Sequence, residues 1–213
     1  MRLPKSLKSS RSNSHGVFPT FSEDDLKQNR LDQIIVIDLE ATCWDTPKPP
    51  PGQEREIIEI GICMLDVVSG ERLGKRSVLV KPERSTISEF CTQLTTLTQE
   101  QVMREGVSFK KACSVLKKEF LSEERMWASY GDYDRAKFEK QCRLYNVSYP
   151  FGPRHLNIKS LFGLFNGIPR EIGLEKAMER LSLPMEGTHH RGHDDAWNAA
   201  AILSTLMLRG RPS

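Results

Sequence analysis

Two carboxylates, Asp38 and Glu40, end an apolar run, residues 34–37, that predicts a strand bound for the core. Side chains two residues apart on a strand point to the same face, so the two negative charges lie only several ångströms from each other. Like charges at this separation repel, and burial raises the cost unless a cation or protons intervene. The pattern therefore indicates a metal site, with a strand end that emerges into solvent as the alternative.

A polar turn near the C-terminus offers two histidine–aspartate pairs with the same five-residue offset, His189 with Asp194 and His190 with Asp195. Helix phase separates them, because steps of three and four residues lead from the apolar stripe of the last predicted helix back to Asp195. An aspartate on the inward face needs a cation or several hydrogen bonds. We therefore take Asp195 as the ligand and Asp194 as a helix cap.

The same argument separates Asp132 from Asp134 at the start of another predicted helix. From Asp134 the helical steps reach an apolar stripe at residues 138, 142 and 145, whereas from Asp132 they reach a more polar face. We predict that Asp132 is the N-cap and that Asp134 faces inward as a functional acid. An aspartate that only stabilises the helix dipole is the alternative for Asp134.

The selected acids, Asp38, Glu40, Asp134 and Asp195, offer only carboxylate oxygens as ligands. This donor set favours Mg²⁺, with Mn²⁺ as the alternative. Zinc is disfavoured, because no cysteine and no second histidine has a recognised zinc-ligand spacing.

The composition is that of one globular domain. The chain has 213 residues, 38% of them apolar, which is enough for one substantial core. It has no apolar run of 18 residues and no apolar secretory signal, so we expect a cytoplasmic protein without a membrane partner. The five cysteines are irregularly spaced without a CxxC pair, which predicts reduced thiols.

The net charge of +3 is concentrated at the N-terminus, where residues 1–30 hold six basic and three acidic residues. We expect residues 1–30 to be a basic, disordered tail and residues 31–213 to be the domain; a transit peptide or a basic arm is the alternative for the tail. Because the remainder is neutral, contacts with nucleic acid must come from local patches and the tail.

The elements that carry these residues are predicted to begin with three strands and then to alternate between helix and strand. The predicted strands are residues 33–40, 57–66, 75–80, 126–130 and 156–158. The predicted helices are residues 98–105, 108–121, 133–145, 159–166, 173–181 and 194–208. This order predicts an α/β fold in which a mixed five-stranded sheet is flanked by helices, an arrangement that resembles the RNase H-like architecture.

Three stretches resemble the exonuclease motifs of the DEDDh family: residues 38–42 (Asp-Leu-Glu-Ala-Thr), residues 131–134 (Gly-Asp-Tyr-Asp) and residues 190–196 (His-Arg-Gly-His-Asp-Asp-Ala). Residues 56–61 and 90–95 are further similar to the ERI-type branch, the relatives of the histone-mRNA 3′-exonucleases. The resemblance covers about residues 33–208, and His193 departs from the family pattern, which has an apolar residue at that position.

The resemblance implies a role for each matching residue. Its four metal-binding acids fall on the four selected above, which would hold two Mg²⁺ or Mn²⁺ ions. Its general base falls on His190. The positions that approach the terminal nucleotide are Ala41, Thr42 and Tyr133.

The implied activity is a 3′-5′ exonuclease that releases nucleoside 5′-monophosphates from nucleic-acid 3′ ends, with RNA favoured as substrate and partner. Three alternatives stay open: a single-stranded DNA exonuclease, a non-catalytic nucleic-acid-binding module of the same fold, and a metal-stabilised structural domain. Candidate contacts with the nucleic-acid backbone are Arg154, His155, Lys159 and Arg191.

Overall fold

A mixed sheet of five strands forms the centre of the structure, a computed structural model that describes residues 30–210. In chain order the strands are β1 (Arg30–Ala41), β2 (Ile57–Asp66), β3 (Arg72–Leu79), β4 (Arg125–Ser129) and β5 (His155–Asn157). Their order across the sheet is β3-β2-β1-β4-β5. Strand β2 is antiparallel to β1 and β3, whereas β4 is parallel to β1 and β5. The predicted mixed five-stranded sheet is confirmed.

Strand β1 lies in the middle of the sheet because its apolar run can be buried on both faces. Ile34 and Val36 join one core cluster, whereas Ile35 and Ile37 join another on the opposite face. This division follows from the alternation of side chains along a strand. Asp38 and Glu40 therefore continue the face of Ile34 and Val36.

Seven helices within the described residues surround the sheet. They are α1 (Glu89–Thr95), α2 (Gln99–Glu105), α3 (Phe109–Phe120), α4 (Tyr133–Tyr145), α5 (Ile158–Phe165), α6 (Leu174–Arg180) and α7 (Gly192–Arg209). Helices α5, α6 and α7 share the cluster of Ile34 and Val36, and α3 and α4 share the cluster of Ile35 and Ile37. The domain is thus layered helix, sheet, helix, as the α/β prediction requires.

The helix starts show why these segments are helical. Ser88, Thr98, Ser108 and Asn157 are N-caps, and each side chain accepts a hydrogen bond from a backbone N–H in the first turn. Helices α2, α3 and α4 agree with the predicted bounds within one residue. Asn157 caps α5, so β5 ends there and does not extend to residue 158 as predicted.

One helix is missing from the predictions, and two strands begin three residues earlier than predicted. Helix α1 was not predicted, because it spans seven residues and contains two threonines and a phenylalanine, which are weak helix formers. Strand β3 begins at Arg72 and not at residue 75, since an edge strand tolerates exposed polar residues that give no apolar pattern. Strand β1 begins at Arg30, three residues earlier than predicted.

The predicted N-terminal tail lies outside the described residues apart from Arg30. The five cysteines are free thiols, four of them buried. Within residues 30–210, no helix is both long and apolar enough to cross a bilayer. For the site, the important result is that the end of β1 lies beside the first turns of α4 and α7.

Candidate metal centre

Three carboxylates meet at the end of β1. Side-chain oxygens of Asp38, Glu40 and Asp195 all lie within 4.8 Å of one another. Asp38 and Glu40 come from the same face of β1, and Asp195 comes from the first turn of α7, which covers that face. Strand alternation and helix phase predicted that these three side chains would converge, and the structure brings them together.

Asp134 approaches the same point from the first turn of α4. Its Oδ1 accepts a hydrogen bond of 3.1 Å from the backbone N–H of Leu39, the residue between Asp38 and Glu40. The side chain is buried, so the inward orientation predicted from helix phase is correct. All four acids line one cavity of about 310 Å³.

The acids repel one another in this cavity. Burial, followed by the charges of Asp134 and Glu40, raises the pKa of Asp38 well above its ordinary value. Burial and then the charge of Asp195 raise the pKa of Glu40 to about 9. Burial also raises the pKa of Asp134 to about 7, although the hydrogen bond from Leu39 opposes the shift. Several carboxylates that are costly to ionise together, with oxygens in close proximity, fit a divalent cation.

The turn before α7 brings two histidines to the cavity. Nδ1 of His189 lies 3.0 Å from each carboxylate oxygen of Asp195. The backbone N–H of His190 donates a bond of 2.9 Å to Oδ2 of Asp195. The two rings stack with centroids 4.0 Å apart. Both rings line the cavity, so the structure places His190 where the prediction requires it and adds His189.

His190 has an unusual backbone and an altered basicity. Its φ of +64° is in the left-handed region, which residues other than glycine rarely adopt unless the surroundings enforce it. Burial and the neighbouring His189 lower the pKa of His190 below its ordinary value. The imidazole is therefore neutral at pH 7 and can accept a proton.

The two competing aspartates lie elsewhere. Asp194 is not the helix cap that the sequence predicted, since α7 has Arg191 at that position. Its carboxylate accepts a bond of 2.8 Å from the backbone N–H of Thr188 and pairs with Lys75. Asp132 does occupy the N-cap position of α4, but its side chain makes no capping bond and accepts from Asn157 Nδ2 at 2.9 Å.

Of the three predicted nucleotide contacts, two lie at the cavity. Ala41 and Tyr133 line it, and Tyr133 is 56% exposed. Thr42 does not line the cavity, and its side chain is fully buried. Its hydroxyl donates to the carbonyl of Glu54 and accepts from the N–H of Glu56, both at 2.9 Å.

The four predicted backbone contacts do not line this cavity. Arg154 donates to the carbonyl of Glu124, Lys159 pairs with Glu171, His155 lies 2.9 Å from the hydroxyl of Ser129, and Arg191 pairs with Glu59. Each basic group is thus engaged by the fold.

Several residues at or beside the cavity have no role in the prediction from sequence. Cys43, Arg55 and Leu94 line the cavity, and Glu59 lies behind it on β2. No local pattern could reveal Arg55, because it lies outside the motifs, whereas Leu94 is within residues 90–95, which resemble the ERI-type branch. Glu59 is within the stretch that resembles the ERI-type branch, which was the available signal.

Glu59 is a fully buried acid whose charge is well satisfied. Burial would raise the pKa of Glu59, but hydrogen bonds from Arg191, Ser77 and His193 together hold it below its ordinary value. This explains His193 at a position where the family pattern has an apolar residue, because its Nδ1 lies 2.8 Å from Glu59 Oε1.

Comparison with known proteins identifies relatives along most of the chain. The Exonuclease (RNase_T) family model matches residues 35–203. Human 3′-5′ exoribonuclease 1 is 32% identical over 197 residues, which cover 88% of this chain and 56% of the relative. The chain therefore spans little more than half the length of such curated relatives.

Solved structures are similar in fold as well as in sequence. The nuclease domain of 3′hExo, a DEDDh family member bound to rAMP, is 31% identical with a TM-score of 0.74, over 85% of this chain and 95% of that one. A 3′-exonuclease solved in a study of 3′-end recognition of the histone mRNA stem-loop is 31% identical with a TM-score of 0.73, over 84% of this chain and 83% of that one.

Proposed function

Because the chain belongs to the exonuclease (RNase_T) family and to its DEDDh group, we propose that it is a metal-dependent 3′-5′ exonuclease acting on RNA. It releases nucleoside 5′-monophosphates one at a time from a 3′ end. The observation that carries the proposal is the meeting of Asp38, Glu40 and Asp195 within 4.8 Å in a cavity of about 310 Å³.

The four acids are the proposed ligands of two Mg²⁺ ions, with Mn²⁺ as the alternative. Asp38, Glu40 and Asp195 form one cluster of oxygens, and Asp134 approaches from α4. The donor set consists of hard carboxylate oxygens, which Mg²⁺ prefers. When bound, the cations supply the positive charge that a phosphodiester needs during attack by an oxygen nucleophile. They also offset the mutual repulsion of the acids.

His190 is the proposed general base. Its ring lines the cavity, and its lowered pKa leaves the imidazole neutral near pH 7. A neutral imidazole can take the proton from an attacking water. His189 has a supporting role, because its Nδ1 lies against Asp195 and its ring stacks on His190.

Substrate positioning is assigned to the rim of the cavity. Among the described lining residues, Arg55 is the one arginine or lysine, and its guanidinium can contact a phosphate. Tyr133 offers an exposed aromatic ring, and Leu94 an exposed aliphatic side chain, to the terminal nucleotide. Stacking on aromatic side chains is the usual way in which proteins hold unpaired bases.

RNA is proposed as the substrate because of the relatives. The human relative is named an exoribonuclease, one similar structure binds rAMP, and another concerns a histone mRNA stem-loop. Single-stranded DNA is the alternative within the same chemistry. A silent binding module is disfavoured because all four acids and both histidines converge on one cavity.

The domain is assigned to residues 31–213, and its proposed location is the cytoplasm. Free thiols at all five cysteines support a reducing compartment. Limited proteolysis tests the domain bounds, and we expect a resistant fragment that starts near residue 31. Imaging of the tagged chain tests the location.

The activity is tested with RNA and DNA oligonucleotides of one sequence, labelled at either end, in Mg²⁺, Mn²⁺ or EDTA. We expect 5′-labelled RNA to give a ladder that shortens from the 3′ end and 3′-labelled RNA to release a mononucleotide. EDTA should abolish these products because the reaction needs a divalent ion. Asp38→Asn, purified in the same way, should also abolish them, which excludes a contaminating nuclease. Tight RNA binding without cleavage in either metal would overturn the proposal in favour of a binding module.

A further inference from the structure

Glu59 is a buried acid beside the metal centre that the proposed reaction does not use. It lies on β2 directly opposite Glu40 of β1 and is fully inaccessible to solvent. Directly opposed residues of an antiparallel pair point to the same face of the sheet. Glu59 therefore faces α7, as Asp38 and Glu40 do, but it does not line the cavity.

The oxygens of Glu59 are held by the turn that carries the catalytic groups. The N–H of Gly192 donates to Oε2 at 3.1 Å, Nε of Arg191 lies 3.2 Å from the same oxygen, and Nδ1 of His193 lies 2.8 Å from Oε1. The remaining partner is the hydroxyl of Ser77 on β3, at 2.6 Å. Three consecutive residues between His190 and Asp195 thus bind one carboxylate.

The backbone of the turn also touches β2 two residues beyond Glu59. A Cβ atom at Gly61 would overlap the backbone of Gly192, and a Cβ at Gly192 would lie 3.1 Å from the carbonyl oxygen of Asp38. The absence of side chains at both positions lets the turn approach the sheet closely. Glu59 then fixes its position by hydrogen bonding.

The position of this turn determines the position of two catalytic groups together. His190 precedes the residues bound by Glu59, and Asp195 follows them. The two ends are further joined, because the N–H of His190 donates to Asp195 Oδ2 at 2.9 Å. A displaced turn would therefore move the proposed base and a proposed ligand away from Asp38 and Glu40.

We propose that Glu59 is a positioning residue of the nuclease: by binding residues 191–193 it sets the distance of Asp195 and His190 from the carboxylates of β1. This inference rests on the proposed function. A reacting group displaced by about 1 Å can cost about 100-fold in rate, so loss of Glu59 acts on turnover and on metal binding.

The test variant is Glu59→Gln, which keeps the size of the side chain and removes its charge. The matched control is Glu56→Gln, because Glu56 is a buried acid of the same strand region that accepts from the N–H groups of Glu83 and Arg84, both at 2.9 Å. Glu56 therefore binds the loop that contains Glu83 and Arg84, and not the turn before α7. Thermal unfolding of the two variants measures their general structural damage.

We expect Glu59→Gln to lower kcat on a 5′-labelled RNA about tenfold or more, with a much smaller change in KM. The Mg²⁺ concentration for half-maximal activity should rise several-fold. The rise in Tm that Mg²⁺ produces, a readout independent of turnover, should shrink in Glu59→Gln and persist in Glu56→Gln. Glu59→Asp, which restores the charge, should recover part of kcat.

A folded Glu59→Gln with parental kcat and a parental Mg²⁺ response overturns the inference while leaving the proposed function intact. An inactive parent chain overturns the proposed function itself. If Glu59→Gln does not fold, the double variant Arg191→Ala, His193→Ala removes the side-chain donors of the turn and leaves the sheet untouched. Parental kcat and Mg²⁺ response in that double variant equally overturn the inference.

Discussion

The backbone N–H of Leu39 donates a 3.1 Å hydrogen bond to Oδ1 of Asp134, and this bond ties the first turn of α4 to the end of β1. The contact joins residues 95 positions apart in the chain. It explains how an acid on a helix reaches a pair of acids on a strand without occupying their face of the sheet.

Asp134→Asn removes the charge of this residue while keeping an oxygen that can accept the hydrogen bond from Leu39. The amide oxygen can still accept from Leu39, so the fold should persist, but a ligand charge is lost. We expect turnover to fall about tenfold to 100-fold, because a metal ligand is weakened. The Tm in EDTA should rise, because repulsion among the acids is relieved. Asp132→Asn is the control, since that side chain is 72% exposed and should leave turnover unchanged. Parental turnover in Asp134→Asn would remove this acid from the metal centre.

Without metal, stability should fall as pH rises. The folded pKa values of Glu40, about 9, and Asp134, about 7, lie above their ordinary values of 4.5 and 3.8. Between the ordinary and the folded value, the folded state keeps a proton that the unfolded state has lost. Each such proton lowers the free energy of unfolding by about 1.4 kcal/mol per pH unit.

The measurement is urea unfolding from pH 5 to pH 9 in EDTA and in Mg²⁺. Stability in EDTA should decline across this range, and Mg²⁺ should flatten the decline. Parallel curves in the two conditions would show that the acids do not share a cation.

The two histidines should be separable by their effects. His190→Ala removes the proposed base, so kcat should fall about 100-fold or more while the Mg²⁺ response is retained. In the parent, kcat should fall on acidification below pH 6.5, the ordinary pKa of histidine, because the pKa of His190 is lowered. His189→Ala should instead raise the Mg²⁺ requirement about tenfold, since the partner of Asp195 is lost. Exchanged phenotypes would assign the base to His189.

Arg55→Ala should weaken substrate binding. Loss of the guanidinium removes a phosphate contact at the cavity, so KM for RNA should rise several-fold and the salt dependence of KM should become shallower. Arg170→Ala, at an exposed arginine outside the cavity lining, is the control. An unchanged KM in Arg55→Ala would show that Arg55 does not contact the phosphate of the substrate.

Thr42→Val tests whether Thr42 contributes to stability or to nucleotide binding. Valine leaves the N–H of Glu56 and the carbonyl of Glu54 without the hydroxyl, so the free energy of unfolding should drop by about 1–3 kcal/mol. Thr42→Ser keeps the hydroxyl and should lose less. Because the side chain is fully buried, kcat and KM should be close to parental for Thr42→Ser. A selective rise in KM without a loss of stability in Thr42→Val would restore the original assignment.

The sequence could predict the acids because periodicity states which way a side chain points. Strand alternation placed Asp38 and Glu40 on one face, and helix phase distinguished Asp195 from Asp194. Thr42 was proposed from the family resemblance and not from periodicity, and alternation does not carry over to it because the register of β1 against β2 shifts between Glu40 and Ala41. A bulge at a strand end reorients the residues that follow it.

Long-range pairing explains the other omissions. Glu59 could be recognised as a buried acid only with knowledge of the partners that satisfy it, and three of these, Arg191, Gly192 and His193, lie more than 130 residues away. The predicted contacts Arg154 and Lys159 were chosen without this knowledge too, since sequence does not show that the fold already engages their side chains. The local sequence pattern thus predicts the face to which a side chain points, whereas only the tertiary structure shows which residues it contacts.

The contribution of α7 has a consequence during synthesis. Asp38 is made early and Asp195 late, and the proposed base His190 and its neighbour His189 also come from the last quarter of the chain. A nascent polypeptide therefore contains a carboxylate pair but no complete centre until α7 has left the ribosome and covered the sheet. On the proposed function, hydrolytic activity therefore appears only once α7 is in place.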